Sequence, residues 1–216
     1  MNENQTVCLS TAYLAPVHYY ARMLVAKQVI VEQHENYIKQ TYRNRCTIVG
    51  GNGMVGLSIP VDKGVAPKCP IRDVRISDHY DWQTLHWRTI EAAYNSSPFF
   101  DYYRDDFAPF FEKRWTFLFD FNVEIQQVVL QLLDEKPDIV LSNTYVANYD
   151  ASVLDFRQTI SPKIEPEKID PFYREMSYYQ VFNDRFGFVP NLSIIDLLFN
   201  MGPETSLVLR QMSKDS

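Results

Sequence analysis

Glycine is scarce, with 7 in 216 residues, so few positions can take the left-handed turns that only glycine enters freely. The run Val49-Gly50-Gly51-Asn52-Gly53 is the one place where glycines cluster. It lacks the G-x-x-x-x-G-K-[ST] spacing of a phosphate-cradling loop and has no helix starting behind it. Only 3 cysteines are present, Cys8, Cys46 and Cys69, without a C-x-x-C pair, which leaves neither a disulfide framework nor a thiolate zinc site. The 4 histidines, His18, His34, His79 and His86, include no i, i+4 pair, so no metal site is expected. No G-x-S-x-G elbow supports a serine hydrolase, and no cofactor motif is found, so the expected cofactor is none. No apolar run approaches the length of a membrane span, and the first residues lack the basic and apolar regions of a signal peptide. A net charge of −6 speaks against a general nucleic-acid surface, which needs a broad basic field. These absences point to a cytoplasmic, reduced protein whose partners are small molecules or pathway enzymes.

What the chain has in quantity is apolar and aromatic matter, 46% and 14% of residues. That supports one domain over residues 1–216 with a core built largely from rings. Thr6-Val7-Cys8-Leu9-Ser10 reads as a strand, Pro16 opens a helix, and Val29-Ile30-Val31-Glu32 reads as a second strand. Strand, helix, strand over that span predicts a parallel βαβ unit with both strands ending on one sheet edge. A hairpin is expected around Gly51, a strand over 71–77, a helix capped by Asp81, and an aromatic helix over 98–113. The aromatic stripe is read as core, with a sugar platform as the alternative. Asn122 is expected to cap a helix over 123–133, followed by a buried strand at 138–142. Residues 143–173 read as a long irregular loop, either a cover for an active site or plain disorder. A capped, strongly apolar helix over Pro190–Pro203 with Gly202 as its stop precedes a last helix from Pro203. The fold class that follows is α/β, a single domain with a mixed sheet that opens with the βαβ unit and has helices packed around it.

The densest chemistry lies at 34–45, immediately after the second predicted strand. Lys39, Arg43 and Arg45 set three cations against an acidic whole, a pattern suited to capturing phosphate or carboxylate. His34 can exchange a proton near neutral pH. Alternation along a strand sends Arg43 and Arg45 to opposite sides, so one of the two is expected to enter the site. The duller alternatives are a solvated basic face and a surface histidine with one local hydrogen bond.

The chain also resembles the WbqC-like proteins, found with O-antigen and other surface-polysaccharide gene clusters. The resemblance is carried by Tyr13-Leu14-x-Pro16, Lys39, Asn44-Arg45, Leu57-Ser58-Ile59-Pro60-Val61, and the run from Leu192 to Asn200 followed by Gly202. It departs at Ser10-Thr11-Ala12, where many members carry Gln-Pro, and lacks their Tyr-x-Ser-Gly segment. The resemblance implies a transferase of acyl or aminoacyl type, with a group such as glycine passing to an amino sugar carried on a nucleotide. On that expectation His34 is the catalytic base, Lys39 and Arg45 hold phosphates with Asn44 beside them, and Tyr13 and Asn36 orient the sugar. The alternative is a non-catalytic module that binds a sugar nucleotide or a pathway enzyme. Nucleotidyl transfer is a third reading, without an H-x-G-H or Gly-rich motif to support it.

Overall fold

β1 (Thr6–Ser10), α1 (Val17–Val25) and β2 (Gln28–Glu32) form the expected βαβ unit. β1 and β2 pair in parallel from Thr6↔Gln28 to Ser10↔Glu32. The computed structural model describes residues 5–62 and 68–213; Pro67 of the expected loop around Pro67 and Pro70 lies outside them. β3 (Arg45–Gly50) and β4 (Gly53–Ser58) make an antiparallel hairpin. Then follow α2 (Trp82–Tyr94), α3 (Phe100–Glu112), α4 (Leu118–Leu132), β5 (Ile139–Leu141), β6 (Val153–Asp155), α5 (Pro166–Ile169), α6 (Asn183–Phe186), α7 (Ile194–Met201) and α8 (Thr205–Met212). The strands divide into two sheets. One is wholly parallel in the order β5-β2-β1-β6, and the hairpin stands apart from it.

β1 and β2 are the inner pair. Val7, Cys8, Leu9, Val29 and Val31 are buried, the near-continuous apolar run expected of parallel strands covered on both faces. α1 is buried at every residue from Val17 to Leu24, so its polar pair, His18 and Arg22, one turn apart, must find partners inside the protein. Its amino terminus is closed by the far end of the chain: Val17 N–H donates to the Leu192 carbonyl at 2.9 Å and His18 N–H to Asn191 Oδ1 at 3.1 Å. α7 carries Phe199 into the rings of Tyr94, Phe100 and Phe107, with centroids 5.2 to 5.5 Å apart and near-perpendicular planes, the arrangement the aromatic quadrupole favours. Gly202 ends α7 at φ 55, and a Cβ there would fall 2.5 Å from the Phe99 ring, so both backbone and space demand glycine.

Several expected elements shift. Residues 71–77 hold a 3-10 turn, Ile71–Asp73, and a Val61↔Ile76 bridge in place of a strand. Asn122 lies inside α4, where its Nδ2 donates to the Arg43 carbonyl at 2.8 Å, instead of capping it. The stretch 143–173 is not a structureless loop: it contributes β6, the sheet edge beside β1, and α5. Asp81 does cap α2, accepting from Thr84 N–H at 3.2 Å, and Phe100, Tyr103, Phe107, Phe110 and Phe111 are core.

Two buried groups oppose each other in acid. His86, 2% exposed, accepts from the Tyr13 hydroxyl on Nδ1 at 3.0 Å, and burial pulls its imidazole down to about 4, partly offset by a backbone bond at Ser58. Asp196, 2% exposed with no salt-bridge partner among the described residues, is pushed up to about 6 by burial, tempered by hydrogen bonds from Tyr178, Tyr94 and Gln180. As pH falls from about 6.5, the unfolded chain takes a proton that folded His86 refuses, so stability is lost down to about 4. Folded Asp196 takes its proton before the unfolded chain does, so stability is gained between about 6 and about 4. Urea midpoints at pH about 7 and about 4.5 should therefore separate the variants. His86→Gln should keep more of its neutral stability in acid than wild type, and Asp196→Asn less. Equal acid loss in both variants would refute the assignment.

Candidate functional site

All four strands of the parallel sheet end on one edge, the side on which ligands of open α/β sheets bind. Glu32 closes β2 there at 0% exposure. One of its oxygens, Oε1, accepts from the Ser142 hydroxyl at 2.6 Å and from His34 N–H at 2.7 Å, and the other accepts from Arg157 Nη1 at 3.2 Å. Arg157 lies just past β6 and forks onto Asp155 through Nε at 2.8 Å and Nη2 at 2.6 Å. Asp155 Oδ1 also accepts from Arg157 N–H at 3.1 Å, so a local turn just past β6 folds the arginine back onto the carboxylate. The rings of Tyr145 and Tyr149 stand over the Arg157 guanidinium at 5.2 and 5.1 Å.

Arg43 builds the other half. Its guanidinium forks onto Glu35 at 2.8 and 2.5 Å and donates to Ser10 Oγ at 2.7 Å, while that hydroxyl donates to the Arg157 carbonyl at 3.0 Å. The ends of β1, β2, β5 and β6 are thereby stitched by the Glu32–Arg157 ion pair and by hydrogen bonds of the Ser10 and Ser142 hydroxyls. Three carboxylates, Glu32, Glu35 and Asp155, face two guanidiniums, Arg43 and Arg157. Burial alone would raise Asp155, but the Arg157 hydrogen bonds and charge hold it below the usual carboxylate range. Cys8 lies behind this edge. Burial pushes its thiol up to about 12, despite the Tyr149 hydroxyl and the Arg157 charge, so it is not a thiolate nucleophile.

The predicted residues part company here. His34 is at the edge: its Nε2 is 3.1 Å from the Ser142 carbonyl. A carbonyl only accepts, so Nε2 carries the proton and Nδ1 of the neutral ring is left unprotonated. Lys39 and Asn36 are exposed on the segment after it. Arg45 is partly buried in β3 and its Nε donates to Ser58 Oγ at 3.1 Å; Asn44 Nδ2 donates to the Ile59 carbonyl at 2.8 Å. Lys39 and Arg45 have no carboxylate partner among the described residues. Tyr13 does not stand beside His34. The chain turns at Leu14, φ 40, and Tyr13 is fully buried with its hydroxyl on His86 and its ring 5.7 Å from Phe121. The arginine that enters the strand-end network is Arg43, and Arg45 lies on the hairpin.

Sequence reasoning missed Glu32, Glu35, Ser142, Asp155 and Arg157. The usable sign was Asp155-x-Arg157, an opposite-charge pair at strand spacing behind Val153 and Leu154. The amino terminus of α1, where dinucleotide folds seat phosphate, is occupied by Asn191 and Leu192. At the end of β1 a pocket of about 10 Å³ lies between Ser10, Thr11, Tyr42, Arg43, Phe156 and Ile160, room for on the order of one water. No group of His, Cys, Asp or Glu among the described residues is placed to hold a metal ion, and no helix among them is long and apolar enough to cross a membrane.

Residues 11–167 and 161–207 match the model of the WbqC-like protein family. The chain belongs to that family. The chain is also similar to "Uncharacterized protein Rv1507c" of Mycobacterium tuberculosis (strain ATCC 25618 / H37Rv), 26% identical over 212 residues, covering 89% of this chain and 91% of that one. No solved structure matches this chain. The match to the WbqC-like model takes in the strand-end network from Ser10's neighbour Thr11 through Arg157, as well as α7.

Proposed function

We propose that this WbqC-like protein is a cytoplasmic transferase of surface-polysaccharide biosynthesis, acting on an amino sugar carried on a nucleotide at the carboxyl edge of its parallel sheet. The observation that carries this reading is the pairing of an open base with uncommitted charge. His34 has one ring nitrogen bound to a carbonyl and the other unprotonated, on the same segment as Lys39 and close in sequence to Arg45, while the neighbouring Arg43 and Arg157 are spent on carboxylates. Lys39 and Arg45 would take the phosphates, with Asn44 steadying the start of β3. Asn36, exposed beside them, would contact the sugar.

In the reaction the sugar amine attacks the carbonyl carbon of an activated aminoacyl donor. A C–N bond forms, the bond to the donor's leaving group breaks with its electron pair leaving on that group, and the amine proton passes to His34 Nδ1. Such a positioned base contributes about 10²–10⁴ in rate. Residues 143–173, which bring Phe156, Arg157 and Ile160 over the strand ends, would act as the cover of this site.

The alternative is a non-catalytic module that binds a sugar nucleotide or a pathway enzyme through the same cleft, using Lys39 and Arg45 but needing no proton transfer at His34. A thermal-shift screen against sugar nucleotides, aminoacyl donors and free nucleotides identifies the ligand, since one present at 100 times its Kd stabilises by about 2.7 kcal/mol. Arg45→Ala should then weaken that ligand by about 1.5–3 kcal/mol, the loss of a charge-assisted contact, with the fold retained. Unchanged affinity for every phosphate-bearing ligand found would overturn the assignment of Arg45.

A further inference from the structure

We propose that Glu32 and Ser142 are positioning residues that lock His34 as its Nε2–H tautomer and so make Nδ1 the proton-accepting atom; this rests on the reading of His34 as base. A histidine in water exchanges between tautomers, and in a protein the hydrogen bond made by one nitrogen decides the role of the other. Here the deciding partner is the Ser142 carbonyl at 3.1 Å. That carbonyl is itself held. It also accepts from Gln33 Nε2 at 2.8 Å, so both its lone pairs are directed at the segment that carries His34.

Ser142 is fixed in turn from three sides. Its N–H donates to the Val31 carbonyl at 3.0 Å, continuing the ladder of β5 on β2. Its hydroxyl accepts from Gln33 N–H at 3.1 Å and donates to Glu32 Oε1 at 2.6 Å. The same oxygen accepts from His34 N–H at 2.7 Å. One buried carboxylate oxygen therefore grips both ends of the histidine contact, the backbone of the residue that donates and the side chain of the residue that accepts. Glu32 does this without touching the imidazole. Its second oxygen is anchored by Arg157 at 3.2 Å, which ties the orientation of His34 to β6 on the far side of the sheet. Ser142 at 5% exposure and Glu32 at 0% leave water little access to compete for these bonds.

The test needs no substrate. Protein labelled with nitrogen-15 in its histidine rings is examined at a pH where His34 is neutral, with His34→Gln assigning its signals. The expected wild-type spectrum is a single tautomer with Nδ1 unprotonated. Ser142→Ala and Glu32→Gln should turn this into an exchange-averaged mixture, and Ser142→Thr, which keeps the hydroxyl, should restore it. A wild-type ring that is mixed, or protonated on Nδ1, overturns the proposal, as does a Ser142→Ala spectrum identical to wild type. Should Glu32→Gln fail to fold, the alanine and threonine variants at Ser142 decide alone. A locked tautomer in a protein that transfers nothing sinks the transferase reading and leaves the positioning intact; turnover with an unlocked ring does the reverse.

Discussion

Asp170→Ala should cost about 3–5 kcal/mol of unfolding free energy, the loss expected when one partner of a buried ion pair is deleted. Asp170 is 1% exposed and sits between two residues of α1. It accepts from His18 Nε2 at 2.8 Å, takes the Nε and Nη2 of Arg22 as a fork, and receives Phe172 N–H at 3.2 Å. Arg22, 5% exposed, otherwise has the rings of Phe156 and Phe172 over it among the described residues, at 5.8 and 5.7 Å. Without the carboxylate its charge would be stranded in a core that cannot hydrate it. Burial tends to raise Asp170, but the hydrogen bonds and charges of Arg22 and His18 bring it down to about 2. A folded value below the unfolded one of about 3.9 means that this stability is present above about 3.9 and is lost as pH falls toward 2. Urea unfolding at neutral pH measures the effect. A midpoint within error of wild type would show that the triad contributes nothing.

The second large effect is on chemistry. His34→Gln should lower turnover by about 10²–10⁴-fold while leaving ligand affinity near wild type, because a base acts in the transition state and contributes little to ground-state binding. Calorimetry gives the affinity and mass spectrometry the product. Lys39→Ala should behave oppositely, weakening binding more than the chemical step. A His34→Gln protein that turns over like wild type removes His34 as base. Tight wild-type binding with no product from any activated donor favours the binding module.

The contrast between what could be read from residues and what could not follows the range of the interactions. The βαβ unit was legible because Val7-Cys8-Leu9, Pro16 and Val29-Ile30-Val31 are local signals of strand, helix start and strand. The Gly202 stop and the Asp81 cap were legible for the same reason, each acting within a few residues. β6 was not. It has three residues, too few for a periodicity, and is a strand only because β1, far upstream in the chain, offers it a ladder. Its companion Arg157 was hidden with it. The cation-rich segment 34–45 was found from charge alone, yet the division of labour within it was not, since Arg43 is directed by Glu35 and Ser10 and not by strand alternation. Tyr13 misled because its position in the chain, just after β1, says nothing of the turn at Leu14 that sends its ring inward.

The closure of α1 by residues 191 and 192 bears on the order in which the protein can be made. Val17 and His18 donate to Leu192 and Asn191, Ser193 Oγ donates to the Leu14 carbonyl, Ile194 N–H donates to that of Ala15, and Ser193 N–H reaches Thr47. α1 is synthesised long before residues 191–194, and its open end lacks these partners until about 170 further residues have followed. A nascent chain must therefore carry its opening strands and helix as an incomplete assembly, with apolar surface waiting for α7. Native contacts so far apart in sequence slow folding, and an unfinished chain that exposes apolar surface is prone to aggregate.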